Sequence, residues 1–165
     1  MSHFLPPPKE ILAMRIPATV LSALAATLAL AAVQPASAQF AQAEDAIKYR
    51  QSAFTVMSNQ MGRLAAMARG NAPYDAASAQ ASARAVEMLS HLPWDAFPAG
   101  SSGGAAKIKG DPWKEAEQFG KLQAALKSQT AKLAASAGTL EGLRAQVGPT
   151  SQACRDCHEK YRQVC

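Results

Sequence analysis

The stretch EDAIKYRQSAFTVMSNQMGRLAAMAR, residues 44–69, decides the fold. Within it Ile47, Phe54, Met61 and Ala68 recur every seven residues, with Met57 and Leu64 at the complementary positions between them. That spacing is an a/d seam, the stripe along which one helix packs against others. Gly70 follows as a helix stop, and Asn71-Ala72-Pro73 as a turn. One residue breaks the pattern: Arg50 holds a d position between Ile47 and Phe54, where an unpaired guanidinium costs several kcal/mol if truly buried. The seam therefore calls for an anionic partner near Arg50, unless the side chain snorkels to water at the seam's edge.

Working outward, Asp75 caps a second predicted helix that reaches about His91 and is ended by Pro93, with Val86 and Leu89 on a mostly alanine inner face. A segment from Leu92 to Gly110 carries Trp94, Phe97 and Ser101-Ser102-Gly103-Gly104; it is longer than most bundle connections, which points to a functional loop. Asp111-Pro112 is an N-cap followed by proline and opens a third helix to about Ala137, with Phe119, Leu122, Leu126 and Leu133 on one stripe and Gly138 ending it. Thr139 caps a fourth, where Leu140, Leu143 and Val147 line up, and Gly148-Pro149 predicts a kink or a restart at Thr150 or Ser151. No segment alternates with period two for more than a few residues. The expected fold is all-α, an antiparallel up-down four-helix bundle.

The fourth helix carries the chemistry. Cys154-Arg155-Asp156-Cys157-His158 is a Cys-x-x-Cys-His run, and on a helix Cys154, Cys157, His158 and Tyr161 share one face. Two thiols at that spacing can add across the two vinyl groups of a haem, and the adjacent histidine can reach the iron. Other uses of the motif fit less well. A structural zinc site needs further ligands, and only His3, His91 and Cys165 remain to supply them. A redox dithiol wants βαβ surroundings, absent from this Ala-rich chain, and a plain disulfide leaves His158 without a role. The expected cofactor is one covalent haem c, tethered through Cys154 and Cys157, with His158 on the metal.

The start of the chain agrees. From Met14 the sequence shows a short basic region at Arg15, an apolar run from Val20 to Val33 and the small-residue site Ala36-Ser37-Ala38. This reads as a secretory signal peptide over 1–38, with Met14 an alternative start and 39–165 the mature domain. The apolar run is too short for a comfortable membrane span, so no membrane insertion is expected after cleavage. Of 17 basic and 12 acidic side chains, cleavage removes Lys9, Arg15 and Glu10, leaving a formal charge of +4. The excess is mild and unclustered, which argues against nucleic-acid binding. Cys165 is an odd thiol, either a frayed end or a bridge between chains.

Nothing usable as a second axial ligand follows His158, so the candidates lie upstream: Met57, Met61, Met67, Met88 and His91. Each methionine is better explained as core. His91, at a helix C-terminus, is better explained as satisfying end carbonyls and the helix dipole.

Joined to the Arg50-Gln51 first helix, to Ala72-Pro73-Tyr74-Asp75-Ala76-Ala77 and to Leu92-Pro93-Trp94, the ending Cys154 to Arg162 resembles the cytochrome c′ family, the high-spin class II c-type cytochromes. The resemblance covers nearly the whole mature chain. It implies a periplasmic, usually homodimeric four-helix bundle with one haem c, five-coordinate through His158, that binds nitric oxide and carbon monoxide but discriminates against oxygen. It also implies that Arg50 and Gln51 contact the haem, Arg50 near a propionate. The resemblance further implies that Phe54 covers the vacant distal face and that Arg162 stands beside the proximal imidazole. The expected role is a gas-binding haem protein with a slow electron-transfer capacity and an unidentified periplasmic redox partner, rather than an enzyme, since an apolar Phe54 offers no distal base. The alternative is a low-spin electron carrier on the same bundle with a sixth methionine ligand; Phe at 54 in place of methionine disfavours it. Gly148-Pro149-Thr150 departs from what looks like continuous helix in relatives.

Overall fold

The computed structural model describes residues 39–163. The segment 1–38 read as a signal peptide, His3 and the terminal Cys165 lie outside the described residues. Four helices account for most of the rest: α1, Ala43–Arg69; α2, Ala76–Leu89; α3, Ala116–Ser136; and α4, Leu140–Tyr161. α1 packs against α2 and α4, and α3 against the same two, which is the arrangement of an up-down bundle with its diagonals apart. Among the described residues the one β feature is an isolated antiparallel bridge between Ile108 and Arg162.

The seam of α1 is as its period requires. Ile47, Met57, Leu64 and Ala68 are buried, while Phe54 and Met61 are half-buried and pack on the same core from its edge. Leu64 shares one buried cluster with Val86 of α2, Leu126 and Leu133 of α3 and Leu143 of α4. The inner face of α2 is small, with Ala79, Ser82 and Ala83 buried, so the helices come close and side chains of one reach the backbone of the next. Tyr74 donates to the carbonyl of Ala137 at 3.0 Å, Gln80 to Ala134 at 2.5 Å and Arg144 to Ala68 at 3.0 Å.

The local stops and starts are chemical. Gly70 ends α1 in the left-handed region at φ 77°, and the N–H of Asn71 returns to the carbonyl of Ala66 at 2.9 Å. The Asp75 carboxylate accepts from the Ser78 N–H at 2.7 Å, and Thr139 Oγ1 from the Gly142 N–H at 3.1 Å.

Three expectations are corrected. α2 ends at Leu89, and Pro93–Ala96 forms a separate 3-10 turn. Asp111-Pro112 opens a turn rather than the regular helix: Asp111 Oδ1 accepts from the Lys114 N–H at 3.1 Å, but α3 proper begins at Ala116. The third is the restart weighed at Gly148-Pro149: none occurs, and α4 runs as one helix from Leu140 to Tyr161 with Pro149 inside it. Hydroxyl and amide groups of Thr150, Ser151 and Gln146 supply local and cross-helix bonds around the proline.

Candidate haem-binding site

The last turns of α4 set Cys154, Cys157 and His158 on one face, each half-buried, and Cys154 packs on the bundle core, as Phe54, Trp94 and Val147 also do. Burial pushes the Cys154 thiol up from its ordinary value; burial and then the neighbouring Cys154 push Cys157 to about 11. Surroundings that resist a thiolate suit a neutral thioether. They do not suit a zinc site, and among the described residues no group of three or more His, Cys, Asp or Glu side chains could hold a metal ion. Burial, and then the Arg162 charge, hold the His158 imidazole below its ordinary value, which favours the neutral ring with a free lone pair. The donor set and its setting therefore fit a covalent haem.

Facing this helix is an aromatic wall built by α1, the α2–α3 loop and α3. Phe54 meets Trp94 edge to face at 5.8 Å between centroids. Trp94 and Phe97 both meet Phe119, at 5.8 and 5.1 Å, and Phe119 meets Tyr161, one turn after His158, at 5.2 Å. Trp94, Phe97, Trp113 and Phe119 line a cavity of about 260 Å³. Sequence reasoning named Trp94 and Phe97 only as loop residues; the spread of this wall over three elements hid it.

Arg50 is 2% exposed, as its seam position requires, and its partners within the chain are backbone carbonyls and a hydroxyl. Nη1 donates to the carbonyl of Ala96 at 2.7 Å and to Ser101 Oγ at 2.8 Å, and Nη2 to the carbonyl of Ser101 at 2.5 Å. The guanidinium also lies over the Phe97 ring, 4.5 Å from its centroid. Directed carbonyl dipoles and a ring face can solvate a buried guanidinium without a carboxylate. Gln51, next in sequence, donates to the carbonyl of Ala105, so both residues fasten the same loop to α1. At its far end that loop is tied to α4: the Gln163 N–H donates to the carbonyl of Lys107 at 2.9 Å and the Lys109 N–H to that of Tyr161 at 3.2 Å.

Arg162 is exposed, and its N–H closes the last turn on the carbonyl of His158 at 3.0 Å. Of the residues weighed as second axial ligands, Met57 and Met67 are buried in the core, Met61 packs at its edge and Met88 is 60% exposed. His91 Nε2 lies 3.4 Å from Glu87 Oε1, a neighbour one turn back rather than an end carbonyl.

Comparison with known proteins gives the family and agrees with the four-helix fold. The family model described as Cytochrome C' matches residues 45–162. A curated cytochrome c' of Alcaligenes xylosoxydans xylosoxydans is 44% identical over 127 residues, which span 76% of this chain and 98% of that one. Two solved structures from Alcaligenes xylosoxidans are similar. One is the nitric oxide complex of a single-residue variant of cytochrome c prime, with a TM-score of 0.72 at 41% identity over 77% of this chain and all of that one. The other is a carbon monoxide-bound variant, with a TM-score of 0.71 at 41% identity over 76% of this chain and all of that one.

Proposed function

Because the chain belongs to the cytochrome c′ family, we propose that it is a periplasmic, homodimeric gas-binding cytochrome whose iron is five-coordinate through His158 and takes nitric oxide and carbon monoxide on the opposite face. The family's cofactor is covalently bound haem c, and the chain presents the two cysteines that hold it, Cys154 and Cys157. When bound, the haem supplies an iron with one open axial position for a diatomic gas.

The chain's own residues do the rest. Cys154 and Cys157 tether the macrocycle along α4, and a neutral His158 is the axial donor. Arg162 disfavours protonation of that imidazole. Arg50 and Gln51 hold the loop that closes the site and are the residues assigned to contact the haem, Arg50 near a propionate. Phe54 is the distal lid, and it carries the reading: a half-buried phenyl ring offers neither a lone pair for the metal nor a donor hydrogen bond to a polarised oxygen complex. Nitric oxide and carbon monoxide depend less on such a donor, so an apolar lid discriminates against oxygen. Electron transfer with a periplasmic partner is a slower second capacity. The signal segment 1–38 and the dimer, formed through α1 and α2, complete the proposal.

The test is an ultraviolet-visible spectrum of the purified reduced protein before and after nitric oxide, with carbon monoxide in parallel. A high-spin spectrum that changes with each gas is expected; a low-spin six-coordinate spectrum would overturn the coordination. His158→Ala should keep the pigment attached through acid-acetone extraction yet change the spectrum. N-terminal sequencing of secreted protein should begin at Gln39, and sedimentation should show a dimer.

A further inference from the structure

Phe54 is not alone at the position assigned to the lid. Trp94 stands against it edge to face, with planes at 71° and centroids 5.8 Å apart. Trp94 is itself held on three sides: Nε1 donates to the carbonyl of Ser90 at 2.6 Å, Phe119 meets it edge-on at 5.8 Å, and Phe97 stacks on it at 6.3 Å and 19°. Phe97 in turn lies under Arg50, which grips Ala96 and Ser101 on either side of it. A ring braced in this way is not free to yield, because close-packed side chains transmit a displacement to their neighbours. For Phe54 to swing toward the loop, Trp94 must break either its indole hydrogen bond or its aromatic contacts.

We propose that Trp94 is a specificity-determining positioning residue, which sets how far Phe54 can move off the distal face and hence how readily a gas reaches the iron. The inference rests on the reading of Phe54 as the lid, and deepens it. Trp94 touches neither iron nor gas in this scheme; it acts through Phe54. Its effect must therefore vanish when the lid is removed.

That requirement supplies the test. Holoprotein carrying Phe54→Ala, Trp94→Ala, Trp94→Leu and the Phe54→Ala/Trp94→Ala pair is compared with the parent in stopped-flow carbon monoxide binding. Ring-flip rates are measured by NMR with ¹³C-labelled phenylalanine. Trp94→Ala is expected to speed association about tenfold, a barrier change of about 1.4 kcal/mol, and to speed the flipping of the Phe54 ring. In the Phe54→Ala background it should do almost nothing, so the two effects are non-additive. Additive effects, or a Trp94→Ala rate equal to the parent's while Phe54→Ala is faster, would overturn the inference and leave the lid standing. A Phe54→Ala rate equal to the parent's would overturn the lid and the inference with it. If Trp94→Ala does not accumulate folded, Trp94→Leu decides: its smaller, flexible side chain should also loosen Phe54, and unchanged flipping and binding would overturn the proposal.

Discussion

The guanidinium of Arg50 lies 4.5 Å from the centroid of the Phe97 ring, so the buried charge of α1 is joined to the loop over the candidate site by a ring face as well as by hydrogen bonds. Arg50→Lys keeps the charge but loses the planar fork that reaches Ala96 and Ser101 together. We expect it to lower unfolding stability by about 1–3 kcal/mol, the cost of buried acceptors left without donors. Chemical denaturation measures this, and an unchanged midpoint would mean that the loop does not depend on the clamp.

A second tie should make stability depend on acid. Glu115 Oε2, at the start of α3, accepts from Lys160 Nζ at 2.7 Å and from the Tyr161 hydroxyl at 3.0 Å. Hydrogen bonds from Lys160 and then Tyr161 hold the Glu115 carboxyl below its ordinary value of 4.5. A depressed folded value means that the contribution is fully present above 4.5 and is lost as the pH falls through the lowered value. Lys160 is raised by the same partner, so its share is present below its ordinary 10.5 and is lost as the pH rises beyond that. Glu115→Gln should flatten melting temperature against pH in the acid window. The half-exposed pair should weaken with salt. A variant profile parallel to the parent's would remove Glu115 as the cause.

What could be read from the sequence was local or periodic. The heptad seam, the Gly70 stop and the Asp75 and Thr139 caps depend on neighbours within a turn or two, and Cys154, Cys157 and His158 form a contiguous motif. The partners of Arg50 lie 46 and 51 residues away in a loop without period, so the seam could demand company for the charge but not name it. The aromatic wall was hidden for the same reason, since Phe54, Trp94 and Phe119 belong to three different elements. Proline reads as a breaker from sequence alone, because the bonds around it include some to Gln129 of another helix.

The turn between α3 and α4 makes a sharp steric prediction. A Cβ on Gly142 would stand 2.3 Å from the carbonyl oxygen of Ser136 and 3.0 Å from the capping Thr139 Oγ1. The first is a backbone atom that cannot turn aside. Gly142→Ala should therefore push the start of α4 from the end of α3 and cost about 1–3 kcal/mol, as overpacking does. Thermal unfolding checks it, and a variant as stable as the parent would show that the turn can widen freely.

Pro149 sits inside α4 and yet the helix continues through it. It has no N–H, so the carbonyl of Ala145 lacks the donor that every other interior residue would provide. Around the gap, Thr150 Oγ1 lies 3.0 Å from the carbonyl of Gln146 and 3.2 Å from that of Gln129, Ser151 donates to Val147 at 2.9 Å, and Gln146 Nε2 reaches Gln129 Oε1 at 2.6 Å. Thr150 is fully buried, so its bonds to α3 are sheltered from water. Local hydroxyl bonds and cross-helix bonds to Gln129 thus both surround the weakest residue of α4. Restoring the missing donor should help: Pro149→Ala is expected to stabilise the protein by about 1–3 kcal/mol, up to the usual cost of an interior helical proline. Thr150→Val, which keeps the shape but strips the hydroxyl, should destabilise it by about 1 kcal/mol. Denaturant unfolding of both variants decides. Because the proline precedes the first cysteine by more than one turn, the haem spectrum should be unchanged in Pro149→Ala. A loss of stability in that variant would show instead that the proline sets the path by which α4 brings Cys154 to the core.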